Sequence, residues 1–188
     1  MFKNLLLSLS LLLFAPLLVS AQTAEKTYVE GKDYDLISPA VRTANPDKIE
    51  VAEFFWYGCG HCYTFEPVLG AWKKTLAEDV EFRGSPAMWN ELMELHAQAF
   101  YTAEVLGVLD PMNMVLFQAM NVDGKRLTTE AEIQELFVAN GVAAEAFTKA
   151  FKSFGVSSQV KQASARAKAA KITGTPSMMI NGRALKCF

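Results

Sequence analysis

Two of the chain's three cysteines, Cys59 and Cys62, stand on either side of Gly60 and His61. Thiols at this spacing serve one of two chemistries: they bind a metal, or they cycle between dithiol and disulfide. A structural zinc site takes four ligands, usually from a second such pair or from nearby histidines. The remaining candidates are His61, His96 and the distant Cys187. They form no second cluster, so redox chemistry is the reading the spacing favours.

The elements around the pair point the same way. Ile49 to Tyr57 is an apolar run rich in β-branched and aromatic residues, the pattern of a buried strand. Gly58 breaks the run. Cys59 to Glu78 then reads as helix, with Pro67 as a candidate kink. The pair therefore sits where a strand hands over to a helix N-terminus. Amide groups there lack helical partners and the helix dipole favours negative charge. A thiol in that position ionises more readily than a free one. Cys59 is expected to be the exposed, ionised thiol and Cys62, one turn further in, the buried one. Glu53 shares a strand face with Val51 and Phe55, while Ala52, Phe54 and Trp56 take the other. A carboxyl in such a run is either an ion pair at a sheet end or a buried group with an altered pKa, and both readings stay open. His61 is placed to stabilise a thiolate, with plain solvent exposure as the alternative. His96 has apolar helical neighbours and reads as structural.

The 188-residue length suits one domain, or one with an insertion, and the net charge of -2 comes with no block of Lys and Arg among aromatics. Nucleic acid is therefore not an expected partner. Lys161, Arg166, Lys168 and Lys171 lie in an alanine-rich helical pattern and read as a solvated face. Met1 to Ala21 has the form of a signal peptide: Lys3, an apolar run from Leu5 to Val19, and Val19-Ser20-Ala21 as the cleavage site. The apolar run is about 15 residues, short of the ~20 a spanning helix needs. Cleavage after Ala21 and export are expected, and disulfides persist in an oxidising compartment.

Further along, Tyr28 to Leu36 is a strand candidate and Ala44 to Asp47 a turn. Val80 to Arg83 is a strand closed by Gly84-Ser85-Pro86. Helical patterns follow at Leu92 to Leu106, Met112 to Met120, from Thr129, at Val142 to Phe151, and from Ser157 to Lys171. Thr129 with Glu132 three residues on is a capping box. Ser177 to Ile180 and Arg183 to Phe188 flank Asn181-Gly182, a strong hairpin signal. The expected organisation is α/β: a signal peptide over 1–21, a first part over 22–86, an inserted helical subdomain over 87–154, and a second part over 155–188.

These residues resemble a known family. The strand, the CGHC pair and Thr175-Pro176 look like the thioredoxin fold. The signal peptide, EFFWYGCGHCYTFEP, the helical insert and TGTPSMMING resemble DsbA-type periplasmic thiol:disulfide oxidoreductases, over about Tyr28 to Gly182. The resemblance implies a periplasmic oxidase that donates its disulfide to exported proteins with free cysteines. It implies reoxidation by a quinone-linked inner-membrane protein of the DsbB type, with no soluble cofactor, and a monomer is expected. Position by position it makes Cys59 the nucleophile, Cys62 the resolving cysteine, and Gly60 and His61 the dipeptide that tunes reactivity. It makes Glu53 the buried acid beneath Cys62, and Thr175 and Pro176 a substrate-binding loop whose proline is cis. Many relatives have Pro where Gly60 stands and Val where Thr175 stands. The family also continues past the hairpin with a helix; here the chain ends at Phe188, which reads as a truncated or frame-shifted end with Cys187 left odd. Two other activities are consistent with parts of this pattern: a reductase or isomerase, and a non-catalytic peptide-binding chaperone module using the Met- and Phe-rich surface near Pro176.

Overall fold

The computed structural model describes residues 26–188. The expected signal peptide and its cleavage site at Ala21 lie outside the described residues. The elements in chain order are β1 (Asp35–Leu36), β2 (Ile49–Phe55), α1 (Gly60–Lys73), β3 (Val80–Pro86), α2 (Glu91–Val105), α3 (Leu109–Asn121), α4 (Glu130–Ala139), α5 (Ala144–Phe151), α6 (Phe154–Ala170), β4 (Ser177–Ile180) and β5 (Ala184–Cys187). The sheet runs β1-β5-β4-β2-β3. β2 pairs in parallel with β3, across α1, and antiparallel with β4. Among the described residues no helix is long and apolar enough to cross a membrane.

β2 is buried on both faces, as its continuous apolar run requires. Ala52 and Phe54 pack with Met179 and with Ala167 and Ala170 of α6. Phe55 points the other way, into the core of the helices. There Phe55 meets Phe100 at 5.4 Å and Phe117 at 5.7 Å, and Phe117 meets Tyr57 edge-on at 4.9 Å. Aromatic pairs of this kind add about 0.5–1.5 kcal/mol each beyond the area they bury. They lock α2 and α3 to the end of the strand that leads into the cysteine pair.

Several boundaries differ from the sequence pattern, each for a local reason. Tyr28 to Leu36 shrinks to a two-residue strand, because Gly31 adopts φ +78° and closes a turn with its N–H on the Tyr34 carbonyl. β2 ends at Phe55 and α1 begins at Gly60, with Cys59 as its N-cap rather than its first residue. α1 runs through Pro67 and ends at Lys73, short of Glu78. α6 starts earlier, at Phe154, because the Ser153 hydroxyl caps it by accepting from Val156 N–H at 3.2 Å. The capping box of Thr129 and Glu132 forms at the start of α4. The final strand is Ala184–Cys187, its Leu185 opposite Met179 of β4.

His96 is buried, as its apolar neighbours imply. Its Nδ1 accepts from Trp56 Nε1–H at 2.9 Å and its Nε2 lies 3.0 Å from the Leu127 carbonyl. This arrangement needs the neutral ring, protonated on Nε2. Burial holds the His96 pKa below its usual 6.5, the bonds to Leu127 and Arg126 opposing it. A depressed pKa on a base means the unfolded chain takes up the proton first. The contribution to stability is therefore complete above about pH 6.5 and declines as pH falls below it. Urea unfolding of wild type and His96→Gln from pH 7.5 to 5 should show the wild type losing stability relative to the variant below that pH. A constant difference would mean the ring titrates alike in both states.

Candidate active site

The backbone between β2 and α1 is held from three sides. Cys59 N–H donates to the Trp56 carbonyl at 2.9 Å, which closes the turn. Asn121, the last residue of α3, donates its Nδ2 to the Tyr57 carbonyl and to the Phe117 carbonyl, both at 2.8 Å. The Trp56 ring covers Gly58 so closely that a Cβ there would lie 2.4 Å from it. Tyr57 is fixed in turn, because its buried hydroxyl donates to Asn113 Oδ1 at 3.0 Å.

Cys59 is extended, at φ -91° and ψ 111°, the conformation of an N-cap residue. Its Sγ accepts from Cys62 N–H at 3.4 Å and its thiol donates to the Thr175 carbonyl at 3.3 Å. No acidic side chain occupies the first turn of α1. The positive end of the helix therefore acts on the sulfur alone. Cys59 is half-buried, while Cys62 is fully buried. Burial, and then its contact with Cys59, push the Cys62 thiol well up. His61 stands exposed on the first turn.

The Thr175-Pro176 peptide is cis, and its loop faces the pair through the Thr175 carbonyl. Ser177 Oγ donates to the Gly174 carbonyl at 2.8 Å and steadies the loop from behind. The chain's last residues support it too. Cys187 pairs with Ser177, and Phe188 N–H donates to the Pro176 carbonyl at 3.1 Å. The Phe188 ring stacks on Phe65 of α1 at 5.7 Å. The pair, His61, Gly60, Thr175 and Pro176 thus come together at one end of the sheet.

Glu53 lies inside β2, away from solvent. It is 2% exposed, and its Oε1 has no hydrogen-bond partner. Among the described residues no hydrogen bond joins it to Cys62. The charges that act on it belong to α1. Burial first, then the Glu66 carboxylate, raise its pKa from 4.5 to about 8, against the opposing charge of Lys73. Glu66 is itself raised by burial, with Lys73 and the bond from Asn113 Nδ2 at 3.0 Å opposing. The sheet-end ion pair is made instead by Glu50, with Arg83 at 3.4 Å. The sequence reading missed Glu66, Asn113 and Asn121. Glu66 carried a signal, because Cys62, Glu66 and Leu69 share the buried stripe of α1.

A cysteine pair at the first turn of a helix, one thiol accessible and one buried, on a mixed sheet with a proline loop opposite, defines a thioredoxin-type thiol–disulfide oxidoreductase. The comparisons narrow the class. A profile described as "DSBA-like thioredoxin domain" matches residues 72–187. The thiol:disulfide interchange protein DsbA of Azotobacter vinelandii is 44% identical over 81% of this chain and 72% of its own length. That of Pseudomonas aeruginosa is 37% identical over 96% of this chain and 85% of its own. A crystal structure of Pseudomonas aeruginosa DsbA superposes with a TM-score of 0.81 at 37% identity, covering 84% of this chain and 82% of that one. A Xylella fastidiosa DsbA structure gives 0.79 at 31% identity, covering 84% and 87%. The chain belongs to the DsbA family.

The difference in exposure has a direct consequence. Brief alkylation of the reduced Cys187→Ala variant near neutral pH should modify Cys59 well before Cys62, read by peptide mass mapping. Cys62 reacting first would reverse the orientation assigned to the pair. The Cys187→Ala background is needed because Cys187 is itself exposed.

Proposed function

We propose that this oxidoreductase works as a disulfide donor for exported proteins with free cysteines. The observation that carries the reading is the asymmetry of the pair: Sγ of Cys59 lies at the helix N-terminus and Cys62 beneath it. DsbA homologues are periplasmic, and we place this chain there, exported by the segment ending at Ala21. A substrate thiolate attacks Sγ of Cys59 in the disulfide, and Cys62 leaves. The substrate's second thiolate then attacks its own mixed-disulfide sulfur and expels Cys59. The substrate has lost two electrons and the pair has gained them. A membrane oxidase of the DsbB type, passing electrons to a quinone, restores the disulfide.

The site residues divide this work. Cys59 is the nucleophile and leaving group, stabilised by the amide of Cys62 and the positive end of α1. Cys62, the family's resolving cysteine, is the leaving group of the first step here; its raised pKa means that it takes a proton on leaving. Glu53 holds a proton at neutral pH and is the reservoir for that step, passing it directly or through a water. His61 and Gly60 face the approaching thiol. Thr175 and Pro176 offer backbone to an extended substrate segment.

A donor must favour its own reduced form. In the dithiol, Cys59 gains the Cys62 amide and the helix terminus, interactions that the unfolded chain lacks. Equilibration with a glutathione series should give a potential more oxidising than that of thioredoxin, about −270 mV. The reduced protein should also melt above the oxidised one at neutral pH. A potential near thioredoxin's, with the oxidised form melting higher, would make the chain a reductase.

Glu53→Gln separates the proton reservoir from packing. Glu53 is an acid raised in the fold, so the folded chain keeps its proton while the unfolded chain ionises. Wild-type stability therefore declines as pH rises from about 4.5 to about 8. The variant lacks this loss, and its advantage should grow by about 3 kcal/mol between pH 5 and 8. Disulfide exchange should slow, with a flattened pH profile. Unchanged exchange at every pH would remove Glu53 from the reaction.

A further inference from the structure

β3 is an edge strand: among the described residues it pairs only with β2. Against β3 and β2 lies a cavity of about 750 Å³, also lined by residues of α1, α2 and α3. Phe55 and Phe82 give it apolar wall, and Glu53 lines it from the central strand. Glu53 is 2% exposed, and its Oε1 has no partner in the protein. Glu66 lines the same cavity, with Oε2 held by Asn113.

Among the described residues no cation forms an ion pair with these carboxyls, and Lys73 offsets their burial only in part. Arg83 is engaged with Glu50 at 3.4 Å. Lys73 lines the cavity, but its ammonium lies over the Phe82 ring, 4.8 Å from the centroid. Among the described residues the ion pairs are Arg83–Glu50 and Lys152–Glu130, and neither involves Glu53 or Glu66. Glu81, Glu104 and Asp110 add negative charge at the rim. A buried carboxyl without a partner is costly, and it is relieved by a proton or by a cation. The cavity offers a cation two carboxyls and an aromatic face on which an ammonium already rests. Among the described residues no group of three His, Cys, Asp or Glu could hold a metal ion, so the donor set does not suit one.

We propose that this cavity is a binding site for a primary ammonium group, held by Glu53 and Glu66, with the alkyl chain against Phe55 and Phe82. The ammonium belongs either to a free alkylamine or to a lysine of an extended polypeptide lying along β3. In the second case the open edge of β3 supplies backbone hydrogen bonds as well. The site does not depend on the direction of disulfide exchange.

The test uses the full oxidised chain, labelled with ¹⁵N and titrated with n-butylammonium, with 1-butanol as the neutral match. Saturable shifts are expected at the amides of Gly70, Phe82, Gly84 and Asn113 with the amine and not with the alcohol. Glu53→Gln should weaken binding about tenfold, because Gln has no proton to release and cannot become the carboxylate that pairs with the ammonium. Glu66→Gln, at the better-solvated carboxyl, should weaken it less and serves if the first variant fails to fold. A cysteine-free pentapeptide with a central lysine separates the two sources. Tighter binding than butylammonium assigns the site to polypeptide, and equal or weaker binding assigns it to free amines. Equal shifts with 1-butanol, no saturable shifts, or binding that neither carboxamide variant weakens would each overturn the proposal.

Discussion

The first turn of α1 has amide groups without helical partners, and the chain brings a sulfur atom to them. That contact, Cys59 Sγ to Cys62 N–H, exists only if the corner between β2 and α1 is held rigid. Tyr57, Gly58 and Cys59 are not regular structure, so their shape must come from neighbours. It comes from Asn121 on the Tyr57 carbonyl, from Trp56 over Gly58, and from the aromatic packing of Phe117 on Tyr57. The helices beyond β3 thus do more than enclose a core. The end of α3 positions the backbone from which the reactive thiol projects.

The same corner carries a cost. Glu53 lies on the most buried strand, one residue from Phe54 and two from Phe55, where an apolar side chain would stabilise the fold more. The protein limits the cost by keeping a proton on Glu53 and by giving Glu66 the amide of Asn113. Asn113 is held in turn by Tyr57, which precedes Gly58 and Cys59. Acid, amide and phenol therefore form one chain of contacts that runs from α1 to the residues before the redox pair. A change in the ionisation of Glu66 acts on Asn113, and through it on Tyr57.

What the sequence revealed was local. A run such as Ile49 to Tyr57, a two-residue gap between cysteines, and the Thr129/Glu132 box are patterns over a few residues; the run formed a strand over Ile49–Phe55 and the box formed where it lay. The structural reading of His96 also agreed, because an apolar helix face is a local pattern. The β3 groove was not legible, since it depends on which strand lies at the edge and on how three helices stand beside it. The role of Asn121 was not legible because its donor's target, Tyr57, is 64 residues away. Tyr28 to Leu36 failed as a long strand for the opposite reason: one glycine turn outweighed the composition. The hairpin signal at Asn181-Gly182 led to the pairing of β4 with β5, but the bond from Phe188 N–H to the Pro176 carbonyl was not legible in it.

The two glycines around Cys59 show how differently one residue type is constrained. At Gly58 any side chain would strike the Trp56 ring, with three ring carbons within 2.8 Å of the Cβ position. Trp56 cannot readily give way, because its Nε1 is bonded to the buried His96. Gly58 is thus demanded by packing that begins on α2. At Gly60 the nearest atom to a Cβ is Asn121 Oδ1, at 3.9 Å, so a side chain has room. Packing leaves this position free, and the reason for glycine must lie in what it does to the turn. Glycine keeps an N–H that proline lacks and gives the backbone more freedom in the unfolded chain. Both effects act at the first residue of α1, beside the sulfur. The shape of the corner is therefore dictated at Gly58, while packing leaves Gly60 unconstrained.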